Sequence, residues 1–361
     1  MGSEHAFGNS PEKVDRYRDF WNLASVDRPL IGFSFKSWFP LEEFSASAAW
    51  QAAHYLTPEM VEPRDFVSDQ ERLLREGEQI DDDVLRGASP SQAVPWLCGM
   101  LGSRLRILPG SILGEEMMLS WDALGDLGLD LENPWYRKYM SFIDTLVESS
   151  AGRYPVSHGT LVGPSDMAAL LRGHGQVIID LLEDPAHMAW LLERMGAIFR
   201  QVTEAAWARI PPFYGGYYDA QYQLWAPGPI ARLQEDATAL FSPRLYREYV
   251  QPIDQALARH FPSAFMHLHS TSMFLLEHFL AIEELRCFEI NYDVSGPPLD
   301  AMVPFFQRVQ GADRALLIRG TFTTDEAALL MEALQPRGLY VYNMVTSWDE
   351  IQALRGVYGL E

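Results

Sequence analysis

Two histidines two residues apart, His267 and His269, close the apolar run that begins at Phe265. In a strand, residues i and i+2 point to the same side, so both imidazoles would enter one space. Imidazole is the commonest protein metal ligand. The pair therefore reads as part of a metal site, or as two hydrogen-bonded polar residues lining a pocket. The run from Cys287 to Asp293 places Glu289, Asn291 and Asp293 on one face, with Asp293 at its tip. A carboxylate beside two imidazoles makes an open zinc site with a position free for substrate or water. Asp293 is the first choice for that third ligand and Glu289 the second. Either would equally accept a hydrogen bond from a histidine and fix its tautomer. Two further runs end at Arg319-Gly320 and at Tyr342-Asn343. In a barrel their ends would converge on the same space, where Arg319, Tyr342 and Asn343 would position a substrate.

Other residues capable of chemistry lie outside these runs. His158 falls in the strand-like segment Tyr154–Leu161, and His278 inside a helical stretch that starts near Ser272. Both are acid or base candidates, although a histidine on a helix is more often a surface or supporting residue. Arg172 is flanked by Gly173 and Gly175 across His174, where backbone and guanidinium would clamp an anionic group. Residues 214–225 form an aromatic loop whose Tyr217, Tyr218 and Trp225 would build a flat wall for a sugar, a methoxylated arene or a tetrapyrrole. Packing under a long loop explains those rings nearly as well. Asp236 follows that loop as a possible stabiliser of a charged intermediate.

The elements that must position these residues are strand-then-helix units. Apolar runs lie at Ala264–His269, Arg286–Asp293, Ala315–Gly320 and Gly338–Val345, with helical stretches after them. Thr323 with Glu326, and Ser347 with Glu350, match the capping-box spacing. Asp184-Pro185 and Ser242-Pro243 pair a capping side chain with a first-turn proline, predicting helices over 185–209 and 243–260. Earlier strand candidates are Leu30–Phe35, Tyr154–Leu161 and Pro212–Tyr218, with an eighth near Arg104–Leu108. Alternation of this kind predicts a parallel sheet. The α/β class is best met by a (β/α)8 TIM barrel with an N-terminal helical and loop extension. An open doubly wound sheet is the alternative, weakened by the absence of a glycine-rich nucleotide motif. Residues 1–361 read as one domain, with the extension inside 1–150 and the stretch from about 36 to 150 covering one barrel mouth. The triplet Asp81-Asp82-Asp83 reads as a solvated loop.

Composition narrows the function. A formal net charge of -21 and the lack of a basic stripe argue against nucleic acid and against an anionic membrane surface. No apolar run approaches the roughly 20 residues a membrane span requires, and residues 1–11 lack the apolar core of a signal peptide. Two cysteines, Cys98 and Cys287, make no disulfide framework, which fits a cytoplasmic location. A small-molecule substrate is expected.

Over residues 150–361, and weakly before them, the chain resembles the uroporphyrinogen decarboxylase superfamily. Asp236 followed by Phe241–Pro252 is similar to that family's "D…SPxxFxEFxxP" stretch. The His-x-His strand end and the Glu284–Asp293 strand follow in the family's order, and Arg28–Gly32 resembles the entry strand of its methyltransferase-like members. The resemblance implies a barrel fold. The arginine-rich N-terminal segment of true decarboxylases has no counterpart, because Arg16, Arg18 and Arg28 are spaced differently. The His-x-Cys pair and late cysteine of the thiol methyltransferases are also missing. His267 matches their histidine, but His269 stands where the first cysteine would be and Cys287 falls at the wrong end of its strand. A two-imidazole, one-carboxylate metal is a harder Lewis acid than a thiolate site. The resemblance therefore implies a corrinoid-linked methyltransferase moving a methyl group from an O- or N-methylated compound to a corrinoid on a partner protein. Zinc would sit on His267, His269 and Asp293, with His158 or His278 as proton donor. A metal-free decarboxylase or lyase, and a non-catalytic binding barrel, are the alternatives.

Overall fold

Runs of apolar residues too short for helices build the centre of the molecule. The structure, a computed structural model, describes residues 6–35, 41, 43–125 and 127–360. In chain order its strands are β1 (Leu30–Phe35), β2 (Tyr55–Leu56), β3 (Leu105–Leu108), β4 (Ser111–Gly114), β5 (Tyr217–Asp219), β6 (Leu224–Ala226), β7 (Ile230–Gln234), β8 (Ser263–Leu268), β9 (Cys287–Asn291), β10 (Ala315–Gly320) and β11 (Leu339–Val345). Six of them form one sheet in the order β1-β11-β10-β9-β8-β7, and every neighbouring pair within it is parallel. Helices Gln251–His260, Leu299–Gly311, Thr324–Ala333 and Trp348–Tyr358 alternate with the last strands, as parallel connections require. The first strand lies against the last. Beyond the edge of β1, Asp83 N–H donates to the Ile31 carbonyl at 3.0 Å, and a single parallel bridge joins Ala88 to Val156.

Four of the expected strands and the entry strand at Leu30–Phe35 are present. Three other assignments change. Tyr154–Leu161 contributes the one bridge and no ladder. Arg104–Leu108 becomes β3 of a small antiparallel sheet with β2 and β4. Pro212–Tyr218 does not enter the parallel sheet: β5 folds back on β6 as a hairpin, and Ile230–Gln234 supplies the sheet strand instead. Its signal was the short apolar run after Pro227-Gly228-Pro229, a cluster that stops the hairpin.

Helix signals divide similarly. Thr323 and Glu326 make both bonds of a capping box. Ser347 accepts from Glu350 N–H at 3.2 Å, but the Glu350 carboxylate turns to Thr346. Asp184 makes no side-chain cap and bonds His187 instead. Ser242 caps its helix, yet the stretch to His260 is interrupted by a π-helical turn, Tyr246–Val250. Pro252, which has no N–H to give, sits just beyond it.

Of the acidic triplet only Asp81 faces solvent. Asp82 and Asp83 are buried and act as a substitute strand for the free edge of β1. Asp83 accepts Ile31 N–H at 2.9 Å and Asp82 accepts Phe33 N–H at 3.0 Å. Arg86 grips Asp82 through two bonds of 2.9 Å, and Arg28 grips Asp83 through bonds of 2.5 and 2.9 Å. Such bidentate pairs neutralise carboxylates that burial would otherwise make costly. Within the stretch 36–150, residues 36–40, 42 and 126 lie outside the described residues.

Candidate functional site

One face of the sheet carries the chemistry, and register explains why. His267 pairs with Glu289 and with Gln234, while Arg319 pairs with both Asn291 and Tyr342. Alternation then sends Phe265, His267 and His269 to the same side as Glu289, Asn291, Arg319 and Tyr342. Glu289 is fully buried and His267 nearly so, whereas His269 and Asp293 are partly exposed at the strand ends.

His267 and His269 face each other, with their Nε2 atoms 3.1 Å apart. Behind each ring stands a carboxylate. Glu289 Oε2 closes on His267 Nδ1, which also meets the Tyr222 hydroxyl at 2.8 Å. Asp293 Oδ1 lies 2.7 Å from His269 Nδ1. A carboxylate fixes the proton on the nitrogen it faces. Both Nε2 lone pairs are then aimed at the same small volume, where a metal ion or a shared proton would satisfy them. Asp236 completes the group. One ligand-capable atom each from Asp236, His267 and His269 lies within 4.8 Å of the others. The cluster could hold a metal ion.

Asp293 is itself held firmly. It accepts from Ser270 N–H at 3.0 Å, Ser270 Oγ at 2.9 Å and Asn291 at 2.5 Å, and Arg319 steadies Asn291 at 2.7 Å. Burial pushes its carboxyl up, but the bonds from His269, Ser270 and Asn291 together hold it well below the usual carboxylate range. The Asp293 hydrogen bond raises His269 above an ordinary imidazole, outweighing burial. Burial lowers Arg319 to about 10.

Asp236 stands just past β7, and its Oδ2 accepts from Gln234 at 2.5 Å. Against it lies Asp166, whose carboxylate accepts Ala237 N–H at 2.8 Å and Gly163 N–H at 3.3 Å. Burial, then the neighbouring Asp236, push Asp166 up to about 8. Gly163 makes this approach possible, since a Cβ there would meet the Gln234 carbonyl oxygen at 1.5 Å.

The remaining sequence candidates divide. Tyr342 lines a cavity of about 460 Å³. Asn343 is buried and braces the fold, giving to the Gly32 carbonyl at 3.1 Å and accepting from Tyr358 at 2.8 Å. The aromatic wall is not a wall. Tyr218 donates to the Leu85 carbonyl at 3.0 Å, Trp225 to that of Phe213 at 2.8 Å, and Tyr217 packs edge-on to Trp207. His158 is buried edge-on against Trp207, 5.0 Å between centroids, and burial lowers it to about 4. It stays neutral at neutral pH and is a poor proton donor. His278 stands beside Tyr246. Arg172, at the far end of the helix that begins near Asp166, is engaged by Asp180 at 2.7 Å and by the Leu119 carbonyl. Neither is among the residues gathered at the imidazoles. Tyr222 was missed: no periodicity marks it, because a hairpin rather than a sheet strand delivers it. Asp166 left only the weak signal of a carboxylate in the first helical turn.

Neither a family model nor a curated protein sequence matches the chain. Among solved structures it is similar to a methyltransferase from Methanosarcina mazei, with a TM-score of 0.62 over 95% of this chain and 97% of that one, at 12% identity. The chain shares that protein's fold. No described helix is long and apolar enough to cross a membrane.

Proposed function

We propose that this chain, a single (β/α)8 barrel over residues 1–361, is a metal-dependent methyltransferase. It takes a methyl group from an O- or N-methylated small molecule and gives it to a corrinoid carried by a partner protein. His267, His269 and Asp236 hold the metal, which by ligand type is zinc. Asp293 and Glu289, first read as ligands, serve instead as the carboxylates behind the rings.

The observation that carries this reading is the pair of Nε2 atoms 3.1 Å apart, each with a carboxylate on its Nδ1. Two nitrogens bound to one tetrahedral zinc at ordinary bond lengths lie about 3.3 Å apart. When bound, the cation supplies Lewis acidity to the heteroatom that loses its methyl group. The chain's own residues do the positioning. Glu289 and Asp293 keep the protons on Nδ1, Ser270 and Asn291 hold Asp293, and Tyr222 orients His267. Methyl transfer is supported by the fold shared with a methyltransferase. The exposed apolar residues Leu240, Phe274 and Val294, beyond β7, β8 and β9, suit a partner that brings the acceptor to this mouth.

A proton shared by the two rings would satisfy the same lone pairs, and the pair would then act as acid and base in a metal-free lyase. Metal content separates the two. Protein purified without a chelator or metal column is expected to carry about one zinc ion per chain by plasma mass spectrometry. His269→Ala and Asp236→Asn should each lose most of it. Reduced corrinoid should then gain a methyl group from an ether or amine donor, followed by absorbance. Protein that stays metal-free after zinc reconstitution sinks the metal reading.

A further inference from the structure

Helix Pro11–Trp21 and strand β11 converge on one turn of the chain. The hairpin of β5 and β6 reverses through residues 220–223, and Tyr222 stands in that turn. Three buried side chains donate to carbonyls in it or just past it. The Tyr340 hydroxyl gives to the Tyr222 carbonyl at 2.8 Å, the Tyr17 hydroxyl to that of Gln223 at 2.5 Å, and the Trp21 indole N–H to that of Trp225 at 2.8 Å. From within the hairpin, Asp219 accepts Tyr222 N–H at 3.0 Å. Gln223 has a φ of 48°, a left-handed conformation that a residue with a side chain keeps only where its surroundings impose it.

These bonds do more than packing requires. Phenylalanine would fill the places of Tyr17 and Tyr340, and a buried hydroxyl is costly unless it is bonded. Tyr17 is itself fixed, because its oxygen also accepts Leu85 N–H at 3.1 Å. β1 leaves room for the Tyr340 hydroxyl at Gly32, where a Cβ would lie 2.8 Å from it. Loop tips are ordinarily the mobile parts of a fold. This one is pinned by side chains 118 to 206 residues away along the chain.

The pinned group is the Tyr222 hydroxyl, 2.8 Å from His267 Nδ1. Tyr222 thereby ties β11, through its carbonyl, to β8, through its hydroxyl, and the sheet places β9 and β10 between those strands. Its ring stands edge-on to Phe265, 5.5 Å between centroids, and Phe265 shares a face with His267. A polar partner behind a metal-binding imidazole fixes how the ring is turned. Any shift of the turn is passed directly to that partner.

We propose that Tyr17, Trp21 and Tyr340 are positioning residues for His267: they fix the hairpin turn, and through it the Tyr222 hydroxyl that sets the imidazole. The effect on zinc rests on the metal reading above. The brace on the ring stands on hydrogen bonds of the chain alone.

Two measurements on the full chain test it. The first is zinc affinity at fixed pH, by competition with a chromophoric chelator. Tyr222→Phe should weaken zinc by about tenfold, and Tyr17→Phe and Tyr340→Phe by about threefold to tenfold each. In the Tyr222→Phe background the other two substitutions should cost nothing further, because their effect passes through the missing hydroxyl. Tyr139→Phe strips an equally buried hydroxyl from the His158 carbonyl, outside the hairpin, and should leave zinc affinity unchanged. Unchanged affinity in Tyr17→Phe and Tyr340→Phe, losses that add in full to that of Tyr222→Phe, or an equal loss in Tyr139→Phe each overturns the proposal. The second measurement needs no metal. Proton–nitrogen spectra of the zinc-free protein, with ring signals assigned by single histidine substitutions, should show a proton held on His267 Nδ1 that exchanges faster in Tyr17→Phe, Tyr340→Phe and Tyr222→Phe. This keeps the two readings apart. Faster exchange in a protein that takes up no zinc upholds the brace while the metal reading fails. Zinc bound equally well by every hydroxyl variant, with the His267 signal unmoved, does the reverse.

Discussion

At the residue scale, the site is an arrangement of protons before it is an arrangement of ligands. Its two carboxylates differ in their freedom. Asp293 has four partners at a half-open mouth, whereas Glu289 is fully buried with its Oε1 unpartnered. The two histidines should therefore respond differently to truncation. His267→Ala strands the Glu289 carboxylate in the interior and should cost about 3–5 kcal/mol of stability. His269→Ala, whose side chain is 35% exposed and whose carboxylate keeps its other bonds, should cost less than about 1.5 kcal/mol. Chemical denaturation of both variants checks this, and equal losses would sink the distinction. Cys287→Ser, at the buried start of β9, should leave metal content unchanged while lowering the melting temperature, because it buries a hydroxyl among apolar neighbours. The histidine pair and Asp293 were legible in the sequence because strand alternation is a local rule. The place of Asp236 beside the rings was not. It depends on which strand lies next to β8, and that strand, β7, was hidden by the richer aromatic run before it.

At the element scale, the free edge of β1 explains why two of three adjacent aspartates, Asp82 and Asp83, are buried while Asp81 stays exposed. A strand edge facing the interior needs acceptors for its N–H groups, and Asp82 and Asp83 supply them where a neighbouring strand would. Sequence reading sees three adjacent carboxylates and assigns them to water. Only the arrival of Arg28 and Arg86 reverses that, and their spacing along the chain carries no periodic mark. Asp83→Ala would leave the Arg28 guanidinium and the Ile31 N–H without their acceptor, and should cost about 3–5 kcal/mol. Asp83→Asn, which keeps an acceptor oxygen for Ile31 but not the charge, should cost distinctly less. Comparable losses, measured by urea denaturation, would mean that the charge alone matters and the edge bond does not. Gly163 works at the same scale. With the Gln234 carbonyl oxygen 1.5 Å from where its Cβ would stand, Gly163→Ala must push its helix off the end of β7. A cost of about 3 kcal/mol is expected, with weaker metal binding as Asp236 shifts.

At the scale of the whole molecule, a chain with a net charge of -21 also keeps carboxyl groups inside. Tyr246 donates to Asp254 at 2.7 Å, and Ser165 N–H to Glu235 at 2.8 Å. Burial, then the charges of Asp254 and Asp166, push Glu235 well above an ordinary carboxyl. Burial raises Asp254 to about 7 against the bonds from Tyr246 and Glu235. The pair therefore holds at least one proton at neutral pH. In the unfolded chain Asp254 would titrate near 4. A group whose folded value is the higher one contributes stability that is complete below the unfolded value and is lost as pH rises to the folded one. The folded protein should thus lose stability between about pH 4 and pH 7 on account of this site, by at most about 4 kcal/mol for three pKa units. Asparagine at 254 can still accept from Tyr246 and has nothing to titrate. The stability of Asp254→Asn relative to the natural chain should consequently rise from pH 5 to pH 8. Unfolding free energies of the two proteins at pH 5, 6, 7 and 8 measure that difference, and curves that stay parallel would mean that the buried pair does not titrate in this range.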